Sequence, residues 1–488
     1  MSGPASVHPA GERPAAFAAT PFQQRRNLNW IVLGLLYASF YMTRYNLAAT
    51  MSQLSATFGW TNTQLGIFET VMPLTYGLSV VLNGPLADRV GGRRAFLFGA
   101  VGVVAMNFAF GACTLLVVSP AVTEGSGHAA HVVVPAVLAE GFTPSSLMWL
   151  MAIIWGINGY FQSFGALSIV KVNAHWFHVR ERGTFAGVFG VLIRLGLILA
   201  FSGVPMILTI LPPLRYAFWI PGGFVAVMFA ANYVVMKDSP RDAGFGEMDT
   251  GEGDADDGKP ALLREVLSRV FTSRATWMIA VCSMMIGMVR RSTVDSWYPK
   301  YFGETFAGGA HADLAHFAPY QTAAWGIAIL GIAGGFTFGV ASDRVYGGRR
   351  APVITFGFIG MATMLVLLGV SGRAGLGPWA PAACLAILSF FVNGAHGMVG
   401  GAASMDFGGR KAAATAAGLF DGMQYLASSI VGVGMGRVID EWGWSAWPWA
   451  PLPFACVGAL VISRLWNVRP GQQRAPSVTP ANSRGTPA

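Results

Sequence analysis

Apolar runs of about twenty residues recur along this chain, separated by short polar stretches. A hydrocarbon core about 30 Å thick takes roughly twenty helical residues to cross, so windows of that length predict twelve membrane-spanning helices. Six cover residues 28–50, 63–86, 95–118, 146–171, 183–207 and 215–236; six more cover 277–298, 320–341, 352–370, 379–401, 412–439 and 447–465. The third window runs on into an Ala- and Val-rich connection. Between the two sets, residues 237–275 carry Asp242, Glu247, Asp249, Glu252, Asp254, Asp256 and Asp257 among glycines, the composition of a solvated linker. The expected fold is an all-α membrane protein in two six-helix halves, 28–236 and 276–466, with polar tails at 1–27 and 467–488.

Composition agrees: 53% of residues are hydrophobic and only 11% charged, while 62 glycines, about twice the usual share, suit close helix packing in lipid. Cations fall on alternate loops. Arg25 and Arg26 precede the first span, Arg89, Arg93 and Arg94 follow the second, Arg180 and Arg182 the fourth, and Lys237, Arg241, Lys259, Arg264, Arg269 and Arg274 the sixth. Arg344, Arg349, Arg350, Arg410, Lys411, Arg464 and Arg469 continue the series, so both termini are expected in the cytoplasm of a bacterial inner membrane. The net charge of +9 is explained by that membrane face and its anionic lipid, with no nucleic-acid partner. Residues 1–27 lack the pattern of a cleavable leader. Cys113, Cys282, Cys384 and Cys456 lie inside spans without ligand spacing, and His128 and His131 alone make no metal site, so neither disulfide, metal nor cofactor is expected. The chain also lacks a phosphate-cradling GxxxxGK[ST] loop and a nucleophile with its base, so an enzyme is not expected.

Charges inside the spans carry the chemistry. A mid-bilayer arginine costs ~3 kcal/mol on insertion scales and ~10 or more in simulation, so Arg44 in the first span and Arg291 in the seventh must face an aqueous cavity or a partner. Neighbouring Arg290 points about 100° away, and spacing to the Trp-x-Pro at 297–299 favours Arg291 as the inward-facing residue, with Asp295 one turn on to hold it. Arg194, well inside the fifth span, either contacts substrate or pairs with a carboxylate, Asp295 and Asp421 being the candidates. Those two acids, and His396 in the tenth span, are also candidates for proton coupling. Lys171 reads more readily as a helix-end cation.

The halves echo one another at offsets of about 250 residues: GPLADRVGGRR after span two recurs as FGVASDRVYGGRR after span eight, and Arg44 matches Arg291. Internal repeats of this kind place a transporter's substrate site between the halves near the midplane. The Gly-x-x-x-Asp-Arg-x-Gly-Gly-Arg-Arg loop resembles the signature of the major facilitator superfamily. By that resemblance Asp88, Arg89 and Arg93, and Asp343, Arg344 and Arg349, form gating ion pairs that hold one conformation and break in the other.

Four segments give a narrower resemblance, to the organophosphate:phosphate antiporter family. These are YASFYMTRYN at 37–46; YFQSFG at 160–165 with HWF and RERG beyond it; RSTVDSWYP at 291–299; and RKAAATAAG at 410–418, followed by Tyr425. The resemblance implies that Arg44 and Arg291 bind a phosphoryl group from opposite halves, with Tyr37, Tyr41, Tyr76 and Tyr425 lining the cavity; Asn46, Gln162 and Arg194 are further candidate substrate contacts. Guanidinium suits that task because its planar fork matches phosphate oxygens and keeps its charge. Val80 and Ile193 stand where the glycerol-phosphate branch has lysine and histidine, so the particular organophosphate stays open.

Two guanidinium groups about 8 Å apart repel by ~2 kcal/mol at an effective dielectric of 20. A bound anion reverses that sign, which points to alternating access with exchange of a phosphorylated metabolite (glycerol phosphate, sugar phosphate or phosphoglycerate) for inorganic phosphate, by a monomer. A proton-coupled carboxylate symporter and a membrane sugar-phosphate sensor are the alternatives.

Overall fold

The computed structural model describes residues 20–124, 131–178, 182–246, 274–309 and 312–468; the side chains of Val81, Pro85, Asp88, Glu124, His131, 182–189 and 401–418 are not described. Each expected span coincides with a helix or a broken pair of helices. The first half holds α1 (Pro21–Ala49), α2 (Met51–Phe58), α3 (Asn62–Val90), α4 (Gly92–Cys113), α5 (Pro144–Trp176), α6 (Arg182–Ile198), α7 (Val204–Ile210) and α8 (Tyr216–Val235). The second holds α9 (Arg274–Ser292), α10 (Tyr298–Phe306), α11 (Ala318–Arg344), α12 (Arg350–Arg373), α13 (Trp379–Gly397), α14 (Ser404–Trp442) and α15 (Leu452–Ser463). The Val-rich connection after α4 forms strands: β1 (Val117–Ser119) pairs with β4 (Val137–Leu138), and β2 (Val122–Glu124) with β3 (His131–Val134), both antiparallel. Its β-branched residues suit extended backbone better than a prolonged helix.

Among the described residues six helices are long and apolar enough to cross a membrane. Notably, α1, α3, α5, α9 and α14 are not among them, and these carry Arg44, Glu69, Gln162, Arg291 and Asp421. These five helices are less apolar for their polar groups, whereas the stretch Gly190–Ile210 stays strongly apolar although it carries Arg194.

α1 starts seven residues ahead of its apolar window, so the expected tail 1–27 ends within a helix. A capping box sets that start: Thr20 Oγ1 accepts from Gln23 N while the Gln23 side chain accepts from Thr20 N. The far end is broken by one residue, Thr50, before α2. α9 and α10 repeat this pattern around residues 293–297. Arg44 stands fourteen residues before Phe58 and Arg291 fifteen before Phe306, so the repeat preserves their depth. The first linker residues dock on the first half, where Asn29 Oδ1 accepts from Lys237 N at 2.8 Å and Asp238 Oδ1 accepts from Arg93 N at 2.6 Å; residues 247–273 lie outside the described residues.

We call the face where α1 begins the tail side and the opposite face the far side. On the far side the halves are sewn together along α3 and α14. Glycines bring the backbones into contact: a Cβ on Gly66 would lie 2.4 Å from Gly432 O, and one on Gly436 would lie 2.2 Å from Asn62 O. Thr70 Oγ1 enters the α14 hydrogen-bond ladder, donating to Ser429 O and accepting from Val433 N. Asp440, near the end of α14, caps α3: its carboxylate accepts from Asn62 N at 3.0 Å and Thr63 N at 2.7 Å, while Thr61 Oγ1 takes Gln64 N. A carboxylate at a helix N-terminus satisfies free donors and complements the helix dipole.

A further stitch uses the π-turn Leu199–Gly203 that follows α6. The residue four beyond Phe201 is Pro205, which has no N–H to give the Phe201 carbonyl. Tyr320 of α11 supplies it across the halves, Oη to O at 2.5 Å. Replacing Tyr320 with Phe should strand that carbonyl and lower stability by about 1–3 kcal/mol, read as an earlier midpoint in reversible unfolding in detergent. An unchanged midpoint would refute this account.

Candidate functional site

Tyr37, Tyr41 and Arg44 recur at helical spacing, so one face of α1 presents them together. The Arg44 guanidinium lies 4.7 Å from the Tyr41 ring centroid and 4.5 Å from that of Tyr76 on α3, a cation between two π faces. Tyr37 meets Tyr41 edge-on at 5.2 Å, and Tyr76 meets Tyr425 of α14 at 4.4 Å. Arg44 Nη1 donates to Tyr425 Oη at 3.4 Å and Nη2 to Gln162 Oε1 at 3.3 Å. Arg44 is 3% exposed, its Nε has no hydrogen-bond partner, and among the described residues it forms no ion pair. Its direct contacts are thus neutral groups, with the Asp421 carboxylate of α14 near enough to feel its charge. Helices of both halves surround Arg44.

Gln162 is what aims it. Its Nε2 donates to Phe40 O at 3.2 Å and to Thr43 Oγ1 at 3.1 Å, which leaves Oε1 facing Arg44. Behind this lies a ladder of amides. Asn46 Nδ2 donates to Asn107 Oδ1 and Ala217 O, Asn107 to Asn158 Oδ1, and Asn158 to Thr43 O. Asn46 therefore belongs to the packing of α1 against α4 and α8, and the expectation that it lines the site is corrected: two residues beyond Arg44 it lies some 200° around the helix, facing away.

The second half departs from expectation at Asp295. A continuous helix would place Asp295 one turn beyond Arg291, but α9 ends at Ser292 and the chain turns back. Asp295 N donates to Arg290 O at 3.1 Å, and its Oδ2 lies 2.8 Å from Arg290 Nε. Tyr45 of α1 adds a hydrogen bond to the same oxygen at 3.2 Å. Arg291 instead reaches across the halves to Glu69 on α3, Nη2 to Oε2 at 2.6 Å, and Ser296 Oγ donates to that oxygen at 2.5 Å. Arg290, rather than Arg291, shares the surroundings of Arg44: its charge acts on Tyr41, Tyr425 and Asp421.

Arg194 bonds Asn393 Oδ1 on α13, so its partner across the halves is an amide and neither expected carboxylate. Lys171 donates to Ala87 O at 3.0 Å, near the tail-side end of α3. Among the loop residues, Asp343 pairs with Arg350 at 2.5 Å rather than with Arg344 or Arg349; Arg344 is exposed and Arg349 Nε donates to Tyr346 O. Asp343 ends α11 and Arg350 starts α12, so the turn between them sets the pair. Arg93 Nη2 donates to Tyr233 O at 2.5 Å, and Arg89 is exposed. The Asp88 side chain lies outside the described residues. Sequence reasoning passed over Glu69 and Asp440. Glu69 had a signal, being the only charged residue in the run 63–86; Asp440 had none, since only the fold brings it to α3.

The fold and a central cation between two helical halves define a membrane transporter rather than an enzyme. Residues 33–433 match the model of the Major Facilitator Superfamily, and the chain belongs to that superfamily. It is 26% identical over 460 residues to a probable hexose phosphate transport protein of Chlamydia pneumoniae, covering 88% of this chain and 89% of that one. It is equally 26% identical over 446 residues to the glycerol-3-phosphate transporter of Bacillus subtilis (strain 168), covering 88% and 90%. The membrane sensor protein UhpC of Escherichia coli (strain K12) is 24% identical over 455 residues, covering 90% and 92%. These relatives form the organophosphate:phosphate antiporter group. In fold, the chain matches the xylose transporter XylE from E. coli in a partially occluded inward open conformation, with a TM-score of 0.65 and 15% identity, covering 91% of this chain and 98% of that one.

The two polar roles on α1 separate experimentally. Asn46→Leu should lower stability by about 1–3 kcal/mol by unpairing the amide ladder, while the protein that folds keeps its ligand affinity. Gln162→Leu should weaken anion binding roughly tenfold by freeing Arg44, measured by titration calorimetry with inorganic phosphate. A reversed pattern would overturn both assignments.

Proposed function

We propose that this protein carries a phosphorylated organic metabolite across a bacterial inner membrane and exchanges it for inorganic phosphate by rocking of its two halves. The observation that carries the proposal is Arg44: a buried guanidinium in the seam between the halves, held by Gln162 and Tyr425 and in ion-pair contact with no carboxylate among the described residues. An anion supplies what its neutral neighbours do not, and a phosphoryl group fits the donor fork. Tyr37, Tyr41, Tyr76 and Tyr425 supply ring faces and hydroxyls for the rest of the cargo. Arg290, already paired with Asp295, stands on the opposing side in place of Arg291, with Arg194 nearby. The hexose-phosphate and glycerol-phosphate relatives support this cargo class.

The distribution of lysine and arginine assigns the tail side to the cytoplasm, so the sewn far side is periplasmic. Opening it requires α3 and α14 to part, releasing the Asp440 cap and the Thr70 stitch. Asp88, Arg89 and Arg93, with Asp343, Arg344, Arg349 and now Arg350, form the matching latch on the cytoplasmic side. One chain contains both halves of the site, so a monomer suffices.

Proteoliposomes loaded with labelled phosphate should release it when glycerol 3-phosphate or glucose 6-phosphate is added outside. Arg44→Lys should slow that exchange at least tenfold, because an ammonium group cannot reproduce the bidentate geometry. Unaltered exchange in Arg44→Lys would refute the site. Tight binding without flux would favour the sensor reading that the UhpC relative raises.

A further inference from the structure

Glu69 is a buried carboxylate, 2% exposed, that the exchange mechanism leaves unused. It belongs to α3 of the first half, yet both its partners belong to the second: Arg291 at 2.6 Å and Ser296 at 2.5 Å, one on either side of the break between α9 and α10. It sits beside Thr70 and one turn from Gly66, within the far-side seam whose backbones touch. Parting the halves to open that side must pull Glu69 away from Arg291. Arg290 keeps its own acid in every conformation, since Asp295 lies on the same half.

We propose that Glu69 is a built-in counter-anion: it neutralises Arg291 from the opposite half, so that the far side closes over this arginine without a bound substrate. The inference rests on the organophosphate reading and deepens it. Strict exchange requires that unloaded halves cannot come together, because facing guanidinium groups repel. Glu69 removes that obstacle at Arg291, and Asp295 removes it at Arg290, leaving Arg44 as the charge the cargo itself must meet. The unloaded carrier then returns, and the protein performs net transport beside exchange. Glu69 acts through Arg291 and is a positioning residue.

The test uses the full chain in proteoliposomes, with labelled inorganic phosphate as probe. Two rates are measured from the same vesicles: efflux into medium containing phosphate, which reports exchange, and efflux into phosphate-free medium, which reports return of the unloaded carrier. Wild type should show both. Glu69→Gln should lower the ratio of net efflux to exchange at least tenfold, since Arg291 is then buried and unpaired in the closed seam unless a phosphate anion meets it in place of Glu69; Glu69→Asp should restore part of it. Ser296→Ala, which keeps the charge, should lower the ratio by only a few-fold, and serves if Glu69→Gln does not fold. An independent readout comes from spin labels at Thr61 and Glu441, both exposed, in a background with the four cysteines replaced. Without phosphate, wild type should favour the short distance and Glu69→Gln the long one. Exchange without net efflux in wild type, or a ratio and a distance that Glu69→Gln leaves unchanged, would overturn the proposal alone. Absence of phosphate exchange in wild type would overturn the organophosphate reading and this inference with it.

Discussion

A guanidinium inside a bilayer has to be compensated, and the rest of this structure follows from how that is done for Arg44. Its compensation is diffuse: two tyrosine faces, a phenol oxygen and an amide oxygen, none carrying a formal charge. Such an arrangement holds a cation in place without cancelling it. The Arg290 and Arg291 side chains, by contrast, each touch a carboxylate within 2.8 Å. Breaking a buried pair costs about 3–5 kcal/mol, so those two arginines are stable where they are and respond only to something that replaces their acids. Arg44 responds to any anion that reaches it.

The demand spreads outward into the helices. Orienting Arg44 takes Gln162, orienting Gln162 takes the backbone of α1, and fixing α1 takes the amide ladder through Asn46, Asn107 and Asn158. Each polar residue makes its helix less apolar and obliges it to lie inside the bundle, away from lipid. That is why the polar faces of α1, α3, α5, α9 and α14 meet at the centre, while large hydrophobic side chains such as Leu82, Val170, Val234 and Phe336 are exposed on the outer faces of these and the other helices. In the seam itself, where α3 meets α14, glycine and threonine replace bulk, so contact is made by backbone and short hydroxyls that separate without repacking large side chains.

Much of this was legible in the sequence, for physical reasons that also mark where legibility ends. The twelve spans follow from hydropathy because lipid leaves the backbone few choices. The alignment of Tyr37, Tyr41 and Arg44 follows from helical period. The same period sets Asn46, two residues on, about 200° around the helix on the opposite face. An unbroken helix would set Asp295 one turn from Arg291, but the helix ends at Ser292 and the turn beyond it brings the acid to Arg290. The start of α1 at Pro21 lay in a polar stretch that hydropathy ignores and a capping box defines. Glu69 lacked a partner in the linear sequence, because the residue that explains it stands more than two hundred positions away.

The two halves share a depth and a break, yet they use their arginines differently, and the breaks explain why. Arg44 stands six residues before Thr50, inside regular helix, with its neighbours fixed on every turn. Arg290 and Arg291 stand in the last turn of α9, where the negative end of the helix dipole favours cations. There the backbone is already committed to other partners: Arg290 O takes Thr293 N and Asp295 N, and Ser292 O takes Trp447 Nε1 at 2.7 Å. A carrier needs one charge that stays bare and in register while its walls move, and another, here Arg291, whose partner lies across the seam and is given up as they part. A duplicated chain meets both needs when one copy keeps its arginine within the helix and the other places its arginines at a helix end.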